Sequence, residues 1–136
     1  KILEIWDRLP KVEKAVVFHG RVTESEKIEI LEKADIFIML SETTQKGDAE
    51  GFGIAILEAN SLGIPAIGAK GCGIEDAIKG EYSGKLIESN EPRQCKESLQ
   101  DILNNYEAYS EGAKKWSLNF TWDKIIQLYL AILTDG

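Results

Sequence analysis

Glu50 and Glu58 stand eight positions apart in the stretch EGFGIAILEAN, residues 50–60, separated by two glycines and residues that ordinarily form cores. Projected as a helix at about 100° per residue from Ile54, Glu58 falls between Ile54 and Leu62, with Leu57 on its other flank. Ile56 and Ala59 lie on the far side, so the helix is expected to be apolar nearly all round and therefore buried. A carboxylate in such a place must find donors, or its pKa rises. The two vicinal hydroxyls of a ribose can both donate to one carboxylate. A Lys or Arg partner, or backbone amides, would satisfy it as well. The residues by themselves leave this choice open.

The turn ahead of that helix bears on the question. Gly51 and Gly53 let the backbone approach a ligand closely, and the first unpaired N–H groups of a helix point outward at the positive end of its dipole. Such a helix start receives phosphate, although tight packing of the turn alone would also use two glycines. Glu58 lies about 7 Å along the axis from the helix start, a separation that suits the phosphates and ribose of one nucleotide.

The elements that must position these groups read as strands alternating with helices. KILEIWDRL has helical spacing in Ile2, Ile5, Trp6 and Leu9, and Pro10 ends it. AVVFHG reads as a short strand closed by Gly20. Thr23 caps ESEKIEILEKA, with Glu26 completing a capping box. DIFIML is a continuous apolar run, expected to form a strand buried on both faces of a parallel sheet. A polar loop follows, then the helix from about Phe52 to Ser61, which Gly63 closes. IPAIGA and SGKLI read as two further strands, separated by the turn KGCG and the short helix IEDAI. After Pro92 the chain is helical: QCKESLQDILNNYEAY, SEGAKKWSLNF and TWDKIIQLYLAIL. Trp116, Trp122 and Tyr129 are expected in the core. Strand and helix in alternation point to one α/β domain, a Rossmann-like doubly wound parallel sheet with helices on both faces. Ligands of such sheets bind at the carboxyl ends of the strands, which makes the connection Ser41–Gly53 the expected site.

Composition narrows the classes. The chain has 136 residues, 43% apolar and 29% charged, with net charge −7. That length can bury a core, and no cluster of Lys and Arg suggests a nucleic-acid groove or a polybasic membrane patch. No apolar run approaches the roughly 20 residues of a membrane-spanning helix. Cys72 and Cys95 lack metal or framework spacing, and two separated thiols suit a reducing cytoplasm. His19, the one histidine, has no evident catalytic partner. No GxGxxG follows a strand, which argues against a dinucleotide-dependent dehydrogenase.

The run EGFGIAILEANSLGIPAIGAKGCGIEDAI resembles the signature of the family 4, or group 1, glycosyltransferases: a Glu, seven residues, a second Glu, then a small residue, Gly and Pro. VVFHGRV, ADIFIMLS, GEYSGKLI and FTW resemble further family segments, in family order, so the resemblance covers about Val16 to Leu133. It implies the C-terminal, donor-binding half of a GT-B fold, with the acceptor-binding domain and the first strands of this domain absent from the chain. It further implies transfer of a hexose, mannose or glucose, from a nucleoside-diphosphate sugar with retention of configuration. The acceptor would be a glycan or lipid-linked sugar at the cytoplasmic face of a membrane, met through the missing domain.

By the same resemblance, Glu50 is the catalytic residue beside the donor sugar. Backbone amides of Gly51, Phe52 and Gly53 contact sugar and diphosphate, and Glu58 takes the ribose hydroxyls. Gly20, Arg21 and Val22 lie along the base, and Ser41 lines the cleft. Family members usually need no bound metal and no cofactor, and DAE at 48–50 resembles an acidic metal motif only superficially. A non-catalytic nucleotide-sugar or interaction module that kept the fold is the alternative, disfavoured by the retention of both glutamates.

Overall fold

The computed structural model describes residues 16–41, 52–88 and 91–134, with the side chains of 128, 129 and 131–134 left aside. Three strands, β1 (Phe37–Met39), β2 (Ala66–Ala69) and β3 (Gly84–Ile87), form a parallel sheet in chain order. Phe37 pairs with Ala66, and Ala66 with Gly84. Six α-helices accompany it among the described residues: α1 (Glu24–Leu31), α2 (Ile54–Ser61), α3 (Ile74–Ala77), α4 (Pro92–Asn104), α5 (Tyr106–Ser117) and α6 (Trp122–Thr134). A 3₁₀ turn, Leu118–Phe120, links the last two.

The period-2 pleat of the strands divides the core in two. Ala66 of β2 packs with Ile56 of α2 and with Ile74 and Ala77 of α3, against Phe37, Met39 and Leu86. On the opposite face, Ile67 and Ile87 meet Ile102 of α4 and Tyr109 of α5. Helices therefore cover both faces, the α/β arrangement with a parallel sheet that the alternation of elements anticipates. Burying each of the isoleucines contributes about 1.5–3 kcal/mol.

Several local expectations hold. Thr23 and Glu26 form the capping box of α1, with Thr23 N–H donating to Glu26 Oε2 at 2.7 Å and Glu26 N–H to Thr23 Oγ1 at 3.3 Å. Helix α2 ends in a Schellman arrangement: Ile64 N–H bonds to the Ala59 carbonyl at 3.0 Å, and Gly63 N–H to that of Asn60 at 2.9 Å.

Others are corrected. Val16–Gly20, expected as a strand, joins no ladder among the described residues, and Val16, Val17 and Phe18 are exposed. β-branched and aromatic composition expresses a preference for a pleated, half-buried surface and does not by itself set a ladder. Among the described residues DIFIML is not buried on both faces: Ile38 and Leu40 are exposed, because the helices on that face pack on Ile67 and Ile87 of β2 and β3 and leave this side of β1 largely open. The helix expected through Asn104, Asn105 and Tyr106 breaks at Asn105, whose Nδ2 donates to the Asp101 carbonyl at 3.1 Å. This is the competition of a short amide side chain with the helical ladder. Trp122 is 78% exposed rather than in the core, while Trp116 is half-buried. The expectations for KILEIWDRL and for Glu50 and Gly51 lie outside the described residues, and that for the side chain of Tyr129 likewise.

Candidate functional site

The carboxyl ends of β1 and β2 and the amino ends of α2 and α3 come together in one place. Ser41 follows β1, and its carbonyl oxygen lies 3.6 Å from Cys72 Sγ in the turn after β2. Cys72 Sγ also lies 3.7 Å from the Ala69 carbonyl, so this half-buried thiol sits between the two strand ends, with one weak S–H donor for either carbonyl. Within the second turn, Gly71 N–H donates to the carboxylate of Glu75, fixing the entry to α3. Gly53, the N-cap of α2, is left-handed at φ 72°, ψ 48°. A Cβ placed on it would stand 3.6 Å from Ile74 Cγ1 and 3.7 Å from Ala77 Cβ, so the Gly53 turn rests directly on α3.

Phe52 anchors the same turn from the other side. Its ring packs on Phe120 at 5.4 Å between centroids, and Phe120 packs edge-on to Trp116 at 5.1 Å. Trp116 Nε1 donates to the Ala77 carbonyl at 2.9 Å, closing the chain of contacts back onto α3. The glycine-rich turn is thus held by aromatic packing worth about 0.5–1.5 kcal/mol per pair beyond area burial. From sequence, Trp116 is expected only in the core, and FTW only as a preface to the last helix. Its Phe120 is the residue that touches the turn.

Glu58 differs most from expectation. Helix α2 buries Ile56, Ala59 and Asn60, but Ile54 is 67% exposed and Leu62 39%. Glu58 lies on that open side, with its side chain 42% exposed. The expectation of a helix buried all round is therefore wrong: in the described structure, strands and helices cover only one side of it. An apolar sequence round a short helix does not say how many faces have neighbours. The carboxylate does have a partner, Lys27 of α1, whose Nζ donates to Glu58 Oε1 at 3.0 Å. Lys27 Nζ also meets Glu24 Oε2 at 2.8 Å. Between α1 and α2 runs a groove of about 230 Å³, lined by Glu24, Lys27, Ile28, Leu31, Glu58, Ser61 and Leu62. Of the donors weighed for Glu58, the cation is present. The sequence carried only a faint signal for it: a Lys one turn into the helix that precedes β1.

Gly20, Arg21 and Val22 are exposed immediately before Thr23, at the amino end of α1. Ser41, Phe52 and Gly53 are gathered at the strand ends, and Glu58 is joined to α1 by Lys27. Glu50 and Gly51 lie outside the described residues, as do Asp48 and Ala49. Among the described residues, no three His, Cys, Asp or Glu side chains are grouped to hold a metal ion.

A second hollow, of about 500 Å³, lies beside the amino end of β3, lined in part by Glu81, Tyr109, Asp101 and Lys115. There Tyr109 OH donates to Asp101 Oδ2 at 2.7 Å, and Lys85 Nζ meets the same oxygen at 2.8 Å. Burial first, then the bond to Asp101, pushes the Tyr109 hydroxyl up to about 12. These groups satisfy one another, and none of the expected site residues is among them.

The chain is similar in sequence and fold to known proteins. An uncharacterized glycosyltransferase of Methanocaldococcus jannaschii is 27% identical over 79% of the chain and 30% of its own length. A D-inositol 3-phosphate glycosyltransferase of Thermobispora bispora is 31% identical over 77% of the chain and 25% of its own length. The crystal structure of Anabaena HepE in complex with UDP-glucose matches the fold with a TM-score of 0.69 at 20% identity, covering 91% of this chain and 33% of that one. The chain thus spans about a third or less of the length of these relatives. The family model described as glycosyl transferases group 1 matches residues 8–116, and the chain belongs to that family.

Proposed function

We propose that this chain binds the nucleoside-diphosphate-sugar donor of a retaining hexosyltransferase, with glucose or mannose as the transferred sugar. The supporting observation is the gathering of Ser41, Phe52 and Gly53 at the carboxyl ends of β1 and β2, with a half-buried carboxylate, Glu58, about one and a half turns further along α2. In this reading the diphosphate meets the amides at the start of α2, where positive dipole and unpaired N–H groups converge. Glu58 accepts from the ribose hydroxyls, Gly20, Arg21 and Val22 flank the base, and Ser41 lines the cleft. Glu50, beside the sugar, orients it.

Catalysis is then chiefly stabilisation of charge. As the glycosidic bond breaks, negative charge gathers on the departing diphosphate, and amides fixed in advance by Gly53 and the Phe52–Phe120 contact meet it without reorganising. One such donor is worth roughly 3 kcal/mol. The acceptor is a glycan or lipid-linked sugar, and the reaction belongs to the cytoplasm, to which two free thiols are suited. The relatives lend support: one is named for transfer to an inositol phosphate, another was solved with UDP-glucose.

Calorimetric titration of the intact chain with UDP, GDP and ADP tests the reading. One of the three is expected to bind, and Glu58→Ala to weaken it by roughly 1–3 kcal/mol through loss of a charged hydrogen-bond acceptor. A folded chain that binds none of them overturns the donor-site reading in favour of an interaction module.

A further inference from the structure

The ion pair between α1 and α2 assigns a role to a residue outside the glycine-rich signature. We infer that Lys27 is the positioning residue of the nucleotide site: it holds Glu58 by one carboxylate oxygen so that the other is presented and aimed to the ribose diol. This rests on the proposed reading of Glu58 as the ribose acceptor.

Three observations carry it. First, the contact is one-sided. Lys27 Nζ bonds Oε1 of Glu58 at 3.0 Å, while the Glu58 side chain remains 42% exposed, so the carboxylate is tethered and still reachable. Second, the cation is itself anchored. Glu24 Oε2, three residues back on α1, meets Lys27 Nζ at 2.8 Å, and the capping box of Thr23 and Glu26 fixes the turn from which both project. The Glu24 and Glu58 carboxylates hold the Lys27 ammonium above its ordinary range, so it stays charged wherever the site works. Third, Gly20–Val22 lead directly into that capped turn. The segment proposed to flank the base and the cation that steers the ribose carboxylate therefore sit on one rigid helix start.

The physical gain is preorganisation. A free glutamate has three rotatable bonds and loses that freedom when a diol captures it. Lys27 makes much of this loss part of folding instead, and ligand binding retains the difference. An ion pair serving only to join α1 to α2 has no such bearing on the diol.

The test compares each of UDP, GDP and ADP with its 2′,3′-dideoxy counterpart by calorimetry on the intact chain, for wild type, Lys27→Met, Lys27→Arg and Glu58→Gln. The quantity read is the ratio of dideoxy to ribose Kd. Wild type is expected to favour the ribose form, and Glu58→Gln to bring the ratio close to one. Lys27→Met is expected to reduce the ratio about fivefold, the upper end for a partly exposed ion pair, and Lys27→Arg to restore most of it. A purely structural Lys27 would weaken both ligands together and leave the ratio intact; that result overturns this inference and spares the reading of Glu58. A wild type that binds ribose and dideoxy forms alike, or a Glu58→Gln variant that keeps the preference, overturns the reading of Glu58 and this inference with it.

Discussion

Gly53→Ala probes the turn on which the proposed site depends. Gly53 sits at φ +72°, and a left-handed backbone costs an L-residue about 1–2 kcal/mol. Against this, alanine has less freedom than glycine to lose on folding, an offset of about 0.4–1 kcal/mol. The backbone balance is a loss of roughly 1 kcal/mol. Space adds a second cost, because the new Cβ would lie 3.1 Å from Cδ1 of Ile56, a side chain with no exposed surface. Crowding a packed core typically costs about 1–3 kcal/mol, and the lower end applies where only a methyl terminus must yield.

Gly71→Ala separates the two costs. Its φ is +81°, yet an added Cβ there meets nothing within 4 Å, so only backbone strain remains. Urea unfolding followed by circular dichroism should give a loss of roughly 1 kcal/mol for Gly71→Ala and about 1 kcal/mol more for Gly53→Ala. Equal losses would refute the crowding against Ile56, and a stabilised Gly53→Ala would refute the turn geometry itself.

Gly112→Ala tests another close approach with an opposing propensity. Glycine within a helix is about 0.5–1 kcal/mol worse than alanine, so propensity predicts stabilisation of α5. A Cβ at Gly112 would overlap the Tyr82 carbonyl oxygen, which is backbone and cannot rotate aside; a net loss of about 1 kcal/mol or more in urea unfolding is expected. The acid limb of stability should depend on Asp101, whose carboxyl is held below its ordinary range by Lys85 first and then Tyr109. A depressed folded pKa gives stability that is present above the unfolded value of 3.8 and is lost as pH falls below it. Asp101→Asn should therefore flatten the fall in unfolding free energy on acidification below about pH 4, and an unchanged acid limb would refute the assignment.

How far the sequence alone reached can be judged from particular residues. The capping box at Thr23 and the helix stop at Gly63 were legible, because caps depend on side-chain chemistry within a few residues. So were the parallel strands at Phe37–Met39, Ala66–Ala69 and Gly84–Ile87, whose apolar runs and intervening helices admit few other topologies. The spacing of Glu50 and Glu58 carried the family, and with it the expected site. Three matters were decided only in the folded molecule: the partner of Glu58, the contact of Phe120 on Phe52, and the exposure of Ile54 and Trp122. Lys27 and Glu58 are 31 positions apart, and Phe52 and Phe120 further still. Neither pair leaves a periodic trace, since which helix meets which depends on the order in which strands enter the sheet. Burial behaves likewise: hydrophobicity says that a face prefers a neighbour, and only the tertiary structure supplies one.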